Sequence, residues 1–253
     1  SAGTSIFSMV VLERPLRRLY KDIDIVSTPS GHAVAMVHCN NGTSDLDAWM
    51  GLMAELAAKS GAEVSRAELF RLLFEESLNG APDCDGVLVY NYLSGEPVAG
   101  QTSGRPMVLR RSESALTLAN FMRSQIFSIF AALTMGMHIL TEENVRIRRL
   151  TGHGGLFKTP GVAQRYLSAA MGAPITVMET AGEGGPYGMA LLAGYCLWRQ
   201  EGETLEDYLD RRVFAGAAGE DIMATPEECQ GYRRYLDWYQ EILPAEALAA
   251  QRP

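Results

Sequence analysis

The sequence predicts an α/β fold on three observations. Apolar runs at residues 6–12, 22–26 and 33–37 follow one another across turn-rich links, as the strands of a meander do. Residues 112–140 carry Leu116, Ala119, Met122, Ile126, Ile129, Leu133 and Met137 at helical spacing, enough for one long helix packed across a sheet. Two later stretches, around Val145 and Pro174, each run as strand, glycine turn and helix.

Ser1-Ala-Gly-Thr-Ser5 leads straight into the first strand, and Ser27-Thr-Pro-Ser-Gly-His32 supplies the turn between the second and third. A glycine turn at Asn40-Asn-Gly-Thr-Ser-Asp45 follows. There Ser44 or Asp45 is placed to cap a helix whose apolar face is Leu46, Trp49, Met50, Met53 and Leu56. Ser65-Arg-Ala-Glu68 has the capping-box pattern and opens a second helix. Residues 87–90 form a short strand, and a glycine-rich connection to Gly104 is expected at the surface.

Val145-Arg-Ile-Arg-Arg-Leu150 alternates apolar and charged side chains, which suits a strand with one buried and one wet face. After Thr151-Gly-His-Gly-Gly-Leu-Phe-Lys-Thr-Pro-Gly161, Thr159 is expected as a helix cap and Pro160 at the first helical position, with Val162, Tyr166, Leu167 and Ala170 on the buried face. Residues 174–178 are a strand, and Gly182-Glu-Gly-Gly-Pro-Tyr-Gly188 leads into a helix of small residues. Helices at 203–212 and 226–243 follow, and the tail from Ala245 is expected to fray.

At 253 residues and 47% hydrophobic content, the chain can bury one large core or two small ones. A formal net charge of -8 disfavours nucleic acid and acidic membrane surfaces as partners. Cys39, Cys84, Cys196 and Cys229 are widely separated, with no CxxC pair, so neither a zinc site nor a disulfide framework is expected. Reduced thiols and the lack of a recognisable signal peptide point to the cytoplasm. Arg123, Gln125 and His138 interrupt the most apolar stretch, 121–140, so it reads as a core helix and not a membrane span.

Gly154 and Gly155 lack the Cβ atoms that would hold a flat or charged ligand off the backbone, and the helix start beyond them offers unpaired amides. A nucleotide fits that description; simple chain reversal is the plainer use of such a turn. The four histidines show no arrangement with a nucleophile, so a hydrolase is not supported.

Taken together and in order, these motifs resemble the second half of the FGGY family of carbohydrate kinases, over nearly the whole chain. Gly3-Thr4-Ser5 resembles the family's phosphate-contacting GTS element, and Tyr92-Leu-Ser-Gly-Glu96 its YLSGER segment. Gly154-Gly-Leu-Phe-Lys-Thr-Pro160, with Gln164, is similar to the GGGAKSP and Q pattern at the adenosine site. Gly172-Ala-Pro174 and Glu183-Gly-Gly-Pro-Tyr-Gly-Met-Ala190 are similar to its G-x-P and E-x-x-x-x-G-A-A. Val108, Ser124-Gln125 and Leu156-Phe157 depart from the family's usual glycine, Glu-Gly and small pair.

The resemblance implies the fold of actin, hexokinase and Hsp70, a ribonuclease H-like five-stranded mixed sheet with helices on both faces. It makes 1–253 a C-terminal domain with its core at about 1–200 and a helical extension at about 203–244. It implies ATP or ADP with Mg²⁺, and phosphorylation of a sugar or polyol, a pentulose such as xylulose or ribulose foremost. Gly3 and Thr4 would meet the β- or γ-phosphate, Gly42 and Thr43 the α-phosphate and ribose, Gly154 and Gly155 the adenine, and Lys158 the edge of the base. Glu96, Glu179 and Glu183 are poor candidates for a general base. The family's catalytic aspartate and metal-associated aspartate precede the GTS element, so no catalytic or metal residue is assigned here. The sugar would bind through an N-terminal domain outside this chain, which leaves an exposed apolar face, and a homodimer is left open. The alternative from another class is an actin- or Hsp70-like domain that binds nucleotide to regulate assembly.

Overall fold

The computed structural model describes residues 1–178, 184–216 and 219–251. Its first sheet holds β1 (Ile6–Val11), β2 (Asp24–Ser27) and β3 (Ala33–Cys39) in the order β1-β3-β2, all antiparallel. The expected meander would have put β2 in the middle. Burial explains the swap: Val34, Ala35, Val37 and Cys39 make β3 the apolar strand, whereas β2 is short and mostly exposed and takes an edge.

A second sheet pairs β4 (Val87–Tyr90), buried at every residue, with β5 (Met107–Arg110), a strand the sequence did not announce. The third sheet has the order β6-β7-β8. Here β6 (Leu150–Gly152) runs parallel to β7 (Ile175–Val177), and β8 (Glu220–Ile222) is antiparallel to β7. The single five-stranded sheet is therefore not observed; three small sheets stand in its place. The strand expected over 145–150 pairs only from Leu150, and β1 and β6 share no ladder. Just outside the two strands, Ala2 N–H donates to the His153 carbonyl at 2.9 Å.

The helices are α1 (Ser44–Lys59), α2 (Arg66–Ser77), α3 (Leu118–Glu142), α4 (Val162–Met171), α5 (Gly184–Trp198), α6 (Leu205–Tyr208), which runs into a π turn, and α7 (Pro226–Ala250). Ser65 caps α2 as expected, accepting from the Glu68 amide. α3 begins later than expected, because Thr117 is the residue whose side chain accepts from the Asn120 amide. Residues ahead of it are held outside the helix, with Ala115 N–H donating to Asp85 at 2.6 Å.

α3 is the centre of the core. Met122, Ile126, Phe127, Ile129, Phe130, Leu133 and Met137 are all buried on it. Its buried Arg123 donates to the Ser77 and Leu78 carbonyls at 3.1 and 3.0 Å, closing the C-terminus of α2. Among the described residues α3 is the one helix long and apolar enough to cross a membrane, and 78% of its apolar window is buried inside the fold.

α7 opens on a capping box between Thr225 and Glu228, with Pro226 in the first turn. Its buried Tyr232 and Tyr235 meet Phe127 edge-on, and Tyr239 packs on Tyr90. The tail expected to fray is helical through Ala250. What holds it is buried Glu246, which accepts the Arg105 amide at 2.6 Å.

Candidate functional site

The first glycine turn is built backbone on backbone. Gly42 N–H donates to the Thr4 carbonyl at 2.8 Å, and Thr43 N–H to the Gly3 carbonyl at 2.9 Å. A Cβ on Gly42 would stand 2.1 Å from the Gly3 oxygen, so only glycine permits this approach. The two expected phosphate elements, Gly3-Thr4 and Gly42-Thr43, are thus brought together. The cap of α1 is Thr43, not Ser44 or Asp45, which lie inside the helix; its side chain makes no cap bond. The first-turn amides of α1 therefore have no side-chain acceptor from the cap.

What fixes this turn is Asn41. Its Oδ1 accepts from the amides of Leu93 and Ser94 at 2.9 and 3.1 Å. Its own N–H and Nδ2 donate to Glu96 Oε2 at 3.1 and 3.0 Å. Asn91 completes the clamp by donating to the Asn41 and Gly42 carbonyls at 3.2 and 2.9 Å. The Tyr92–Glu96 motif is therefore a lock on the glycine turn. Burial pushes the Glu96 carboxyl up, and the Asn41 bonds pull it back. With that role Glu96 positions a loop and is not aimed as a base. The sequence signals that could have found the lock are the paired Asn40 and Asn41 beside Gly42.

Thr4 and Gly42, with Ser5, Ser44, Asn91 and Ser94, line a cavity of about 210 Å³. The Asn91 Oδ1 is buried with no hydrogen-bond partner.

The second glycine turn follows β6. Gly154 has φ 107°, and a Cβ there would lie 2.2 Å from the Ala2 carbonyl oxygen. Gly155–Lys158 form a 3₁₀ turn that buries Leu156 and Phe157. Gly155 is different from its neighbour: it is exposed, and nothing lies within 4 Å of a built Cβ. Lys158 is exposed. The expected helix start at Thr159-Pro160 is corrected, since α4 begins at Val162 after Gly161, whose φ of 79° a threonine cap could not adopt cheaply. Gln164 spends both amide hydrogens on the Ile175 and Glu220 carbonyls, at 2.7 and 2.6 Å, and so ties α4 to β7 and β8.

Gly154 lines a second, larger cleft of about 1020 Å³ between β1 and residues 146–154. Gly3, Thr43, Gly155 and Lys158 line neither cavity. The two turns meet the same short stretch, one at Gly3 and the other at Ala2, without a single cleft embracing all the expected nucleotide residues.

The donors at this end suit an anion, namely the first-turn amides of α1 and the Thr4 and Ser44 hydroxyls, whereas the unpartnered Asn91 Oδ1 is an acceptor and calls for a donor and not a phosphate oxygen. No cluster of three or more His, Cys, Asp or Glu side chains suited to a metal ion occurs among the described residues. Glu179 and Glu183 lie outside the described residues.

Three solved structures give the fold its relatives. Xylulose kinase from Rhodospirillum rubrum superposes with a TM-score of 0.71 at 15% identity, over 99% of this chain and 47% of that one. Gluconate kinase from Lactobacillus acidophilus gives 0.70 at 16%, over 99% and 47%. Plasmodium falciparum glycerol kinase with ADP gives 0.65 at 14%, over 96% and 46%. The chain thus spans less than half the length of these kinases. No curated protein matches the sequence. The model of the C-terminal domain of the FGGY family of carbohydrate kinases matches residues 1–197. With that match over most of its length, and with the fold of the sugar kinases, the chain belongs to the FGGY family.

Proposed function

We propose that this chain is the nucleotide-side half of an ATP-dependent sugar kinase. The observation that carries the reading is the family match over a segment in which the Gly42 turn closes on Gly3-Thr4 and the Gly154 turn on the adjoining Ala2. ATP supplies the phosphoryl group and Mg²⁺ offsets its charge; the chain's own residues bind and orient. The α1 amides and the Thr4 hydroxyl hold phosphate oxygens, Gly42 and Thr43 keep the turn close, and Gly154 and Gly155 give the base a flat backbone surface. Lys158 edges the base.

The acceptor is a sugar or polyol, with a pentulose as the first candidate, and it is held by an N-terminal domain that also carries the aspartate base ahead of Ser1. Such an enzyme works in the cytoplasm. The 253-residue chain alone then lacks proton acceptance and hydroxyl placement, each worth orders of magnitude. The test is ADP release with ATP, Mg²⁺ and a panel of pentoses, pentuloses, gluconate and glycerol. The full-length protein is expected to turn over one class of these, and this chain none. Sugar-dependent ADP release by this chain above a Thr4→Ala control would overturn the assignment of the base to a missing segment.

A further inference from the structure

Glu246 is a buried acid that the kinase reading leaves without a use. It is fully shielded from solvent on α7, a helix beyond residues 1–197 of the family match. One carboxyl oxygen accepts the Arg105 N–H at 2.6 Å; the other has no hydrogen-bond partner among the described residues. Burying a carboxyl group against one amide costs stability, and an apolar side chain of similar size would fill the space more cheaply. What the carboxyl adds is its hold on that amide.

The amide it holds ends one limb of a doubled-back loop. Residues 101–104 lie backbone to backbone on residues 92–96, and Gln101 N–H donates to the Glu96 carbonyl at 3.0 Å. A Cβ on Gly104 would stand 2.4 Å from the Ser94 carbonyl oxygen, and one on Gly95 would stand 2.7 Å from that of Thr102, so the limbs are in direct contact. The 92–96 limb is the one that grips Asn41. Its Leu93 and Ser94 amides donate to Asn41 Oδ1, and Asn41 Nδ2 donates at 3.2 Å to the same Ser94 carbonyl that Gly104 bears on. Asn40 Nδ2 adds a bond to the Gly95 carbonyl at 2.8 Å. An unbroken run of contacts thus leads from α7 to the Gly42 turn: Glu246 to Arg105, Gly104 to Ser94, and Ser94 to Asn41.

We propose that Glu246 is a positioning residue for the Gly42 turn, and that α7 straps the 101–105 limb against the Asn41 lock. Release of the Arg105 amide frees that limb, the Ser94 carbonyl loses its backing, and Asn41 loses its grip. The Gly42 and Thr43 amides then open from the Thr4 and Gly3 carbonyls. Contacts in a row count as coupling only if loosening one end loosens the other, which makes the proposal measurable. What the turn binds rests on the kinase reading; how it is held does not.

Amide hydrogen exchange on this chain, without nucleotide, is the test. In the parent, the Gly42 and Thr43 amides should be no better protected than the Arg105 amide, since they open once it has. Glu246→Met removes the acceptor and keeps the bulk; it should speed exchange at Gly42 and Thr43 about tenfold or more, beyond any change at Phe127 and Phe130 in α3. Glu246→Gln keeps an acceptor and should stay within about twofold of the parent. Leu236→Ala, about 15 Å back along α7, controls for general loosening of the helix and should not single out Gly42 and Thr43. The proposal is overturned if those two amides outlast Arg105 by about tenfold or more in the parent, a result that stands even if the methionine variant does not fold. It is overturned too if Glu246→Met leaves them unchanged, or if Glu246→Gln or Leu236→Ala speeds them as much. A titration showing no ADP binding to the parent would sink the kinase reading and leave the exchange result standing.

Discussion

The two glycine turns rest on the same five amino-terminal residues but are held in different ways. The turn at Gly42 is locked from behind by Asn41, Asn91 and Glu96, and its glycine is squeezed against the Gly3 carbonyl. The turn at Gly154 has the same kind of squeeze, against the Ala2 carbonyl, and is tied to that stretch by the Ala2–His153 bond beside an open cleft. The comparison separates glycines that the fold itself requires from the one it does not. Gly42 and Gly154 are explained by backbone contact alone; Gly155 has open space and unexceptional φ, so packing gives no reason for it.

The largest effects are expected where the squeeze is. Gly42→Ala and Gly154→Ala should each cost about 3 kcal/mol of unfolding free energy, through backbone overlap in the first and left-handed strain plus overlap in the second. Thermal and denaturant unfolding would measure both. If Gly154→Ala costs much less than Gly42→Ala, the looser turn yields by letting Ala2 move, and the difference measures how much the Asn41 lock contributes.

Glu96 sharpens the comparison from the locked side. Glu96→Ala leaves the Asn41 N–H and Nδ2 buried without an acceptor and should cost roughly 2 to 3 kcal/mol. Glu96→Gln keeps an acceptor and removes the ionisation. Burial raises the Glu96 pKa above its ordinary 4.5, so the folded state holds that proton more tightly than the unfolded chain. Ionising it costs stability as pH rises through 4.5 to the folded value. The Glu96→Gln protein should therefore match the parent below that window and be the more stable above it. Parallel melting curves between pH 4 and 8 would check this; a parent that gains on the variant with rising pH would contradict the burial argument.

Much of the fold was legible because it is local. The runs at 6–12, 22–26 and 33–37 are strands since apolar residues bounded by turn formers have few other uses, and the Ser65 cap was plain from its spacing with Glu68. The order of the first sheet was not legible: strand pairing is a long-range choice, settled by which strand buries most. The alternation at 145–150 correctly described a half-buried segment, but periodicity says which side is wet and not whether a partner strand exists. β5 and β8 were missed because each is four residues or fewer, and β8 is Glu-Asp-Ile, too short and polar to stand out.

At the site, the glycines were legible as positions, but their reasons were not. Contact of Gly42 with Gly3, and of Gly154 with Ala2, is tertiary and leaves no trace in spacing. Asn41 stands plainly beside Gly42, but what it bonds to was not legible for the same reason: its side chain serves a segment some fifty positions away. Gln164 was noticed through its resemblance to the adenosine-site pattern, whereas its amide is spent on two sheet carbonyls.

On the proposed nucleotide reading, Gly155 is expected to carry the smallest stability effect and the sharpest functional one. With nothing within 4 Å of its Cβ position, Gly155→Leu should leave the melting temperature unchanged. Calorimetric titration of ADP and ATP into this chain and into Gly155→Leu is the direct test of the nucleotide reading. Binding to the parent, weakened about tenfold or more in the variant at equal stability, is the predicted result. Equal affinity in the two proteins, or no binding to either at millimolar nucleotide with the fold intact, would contradict it.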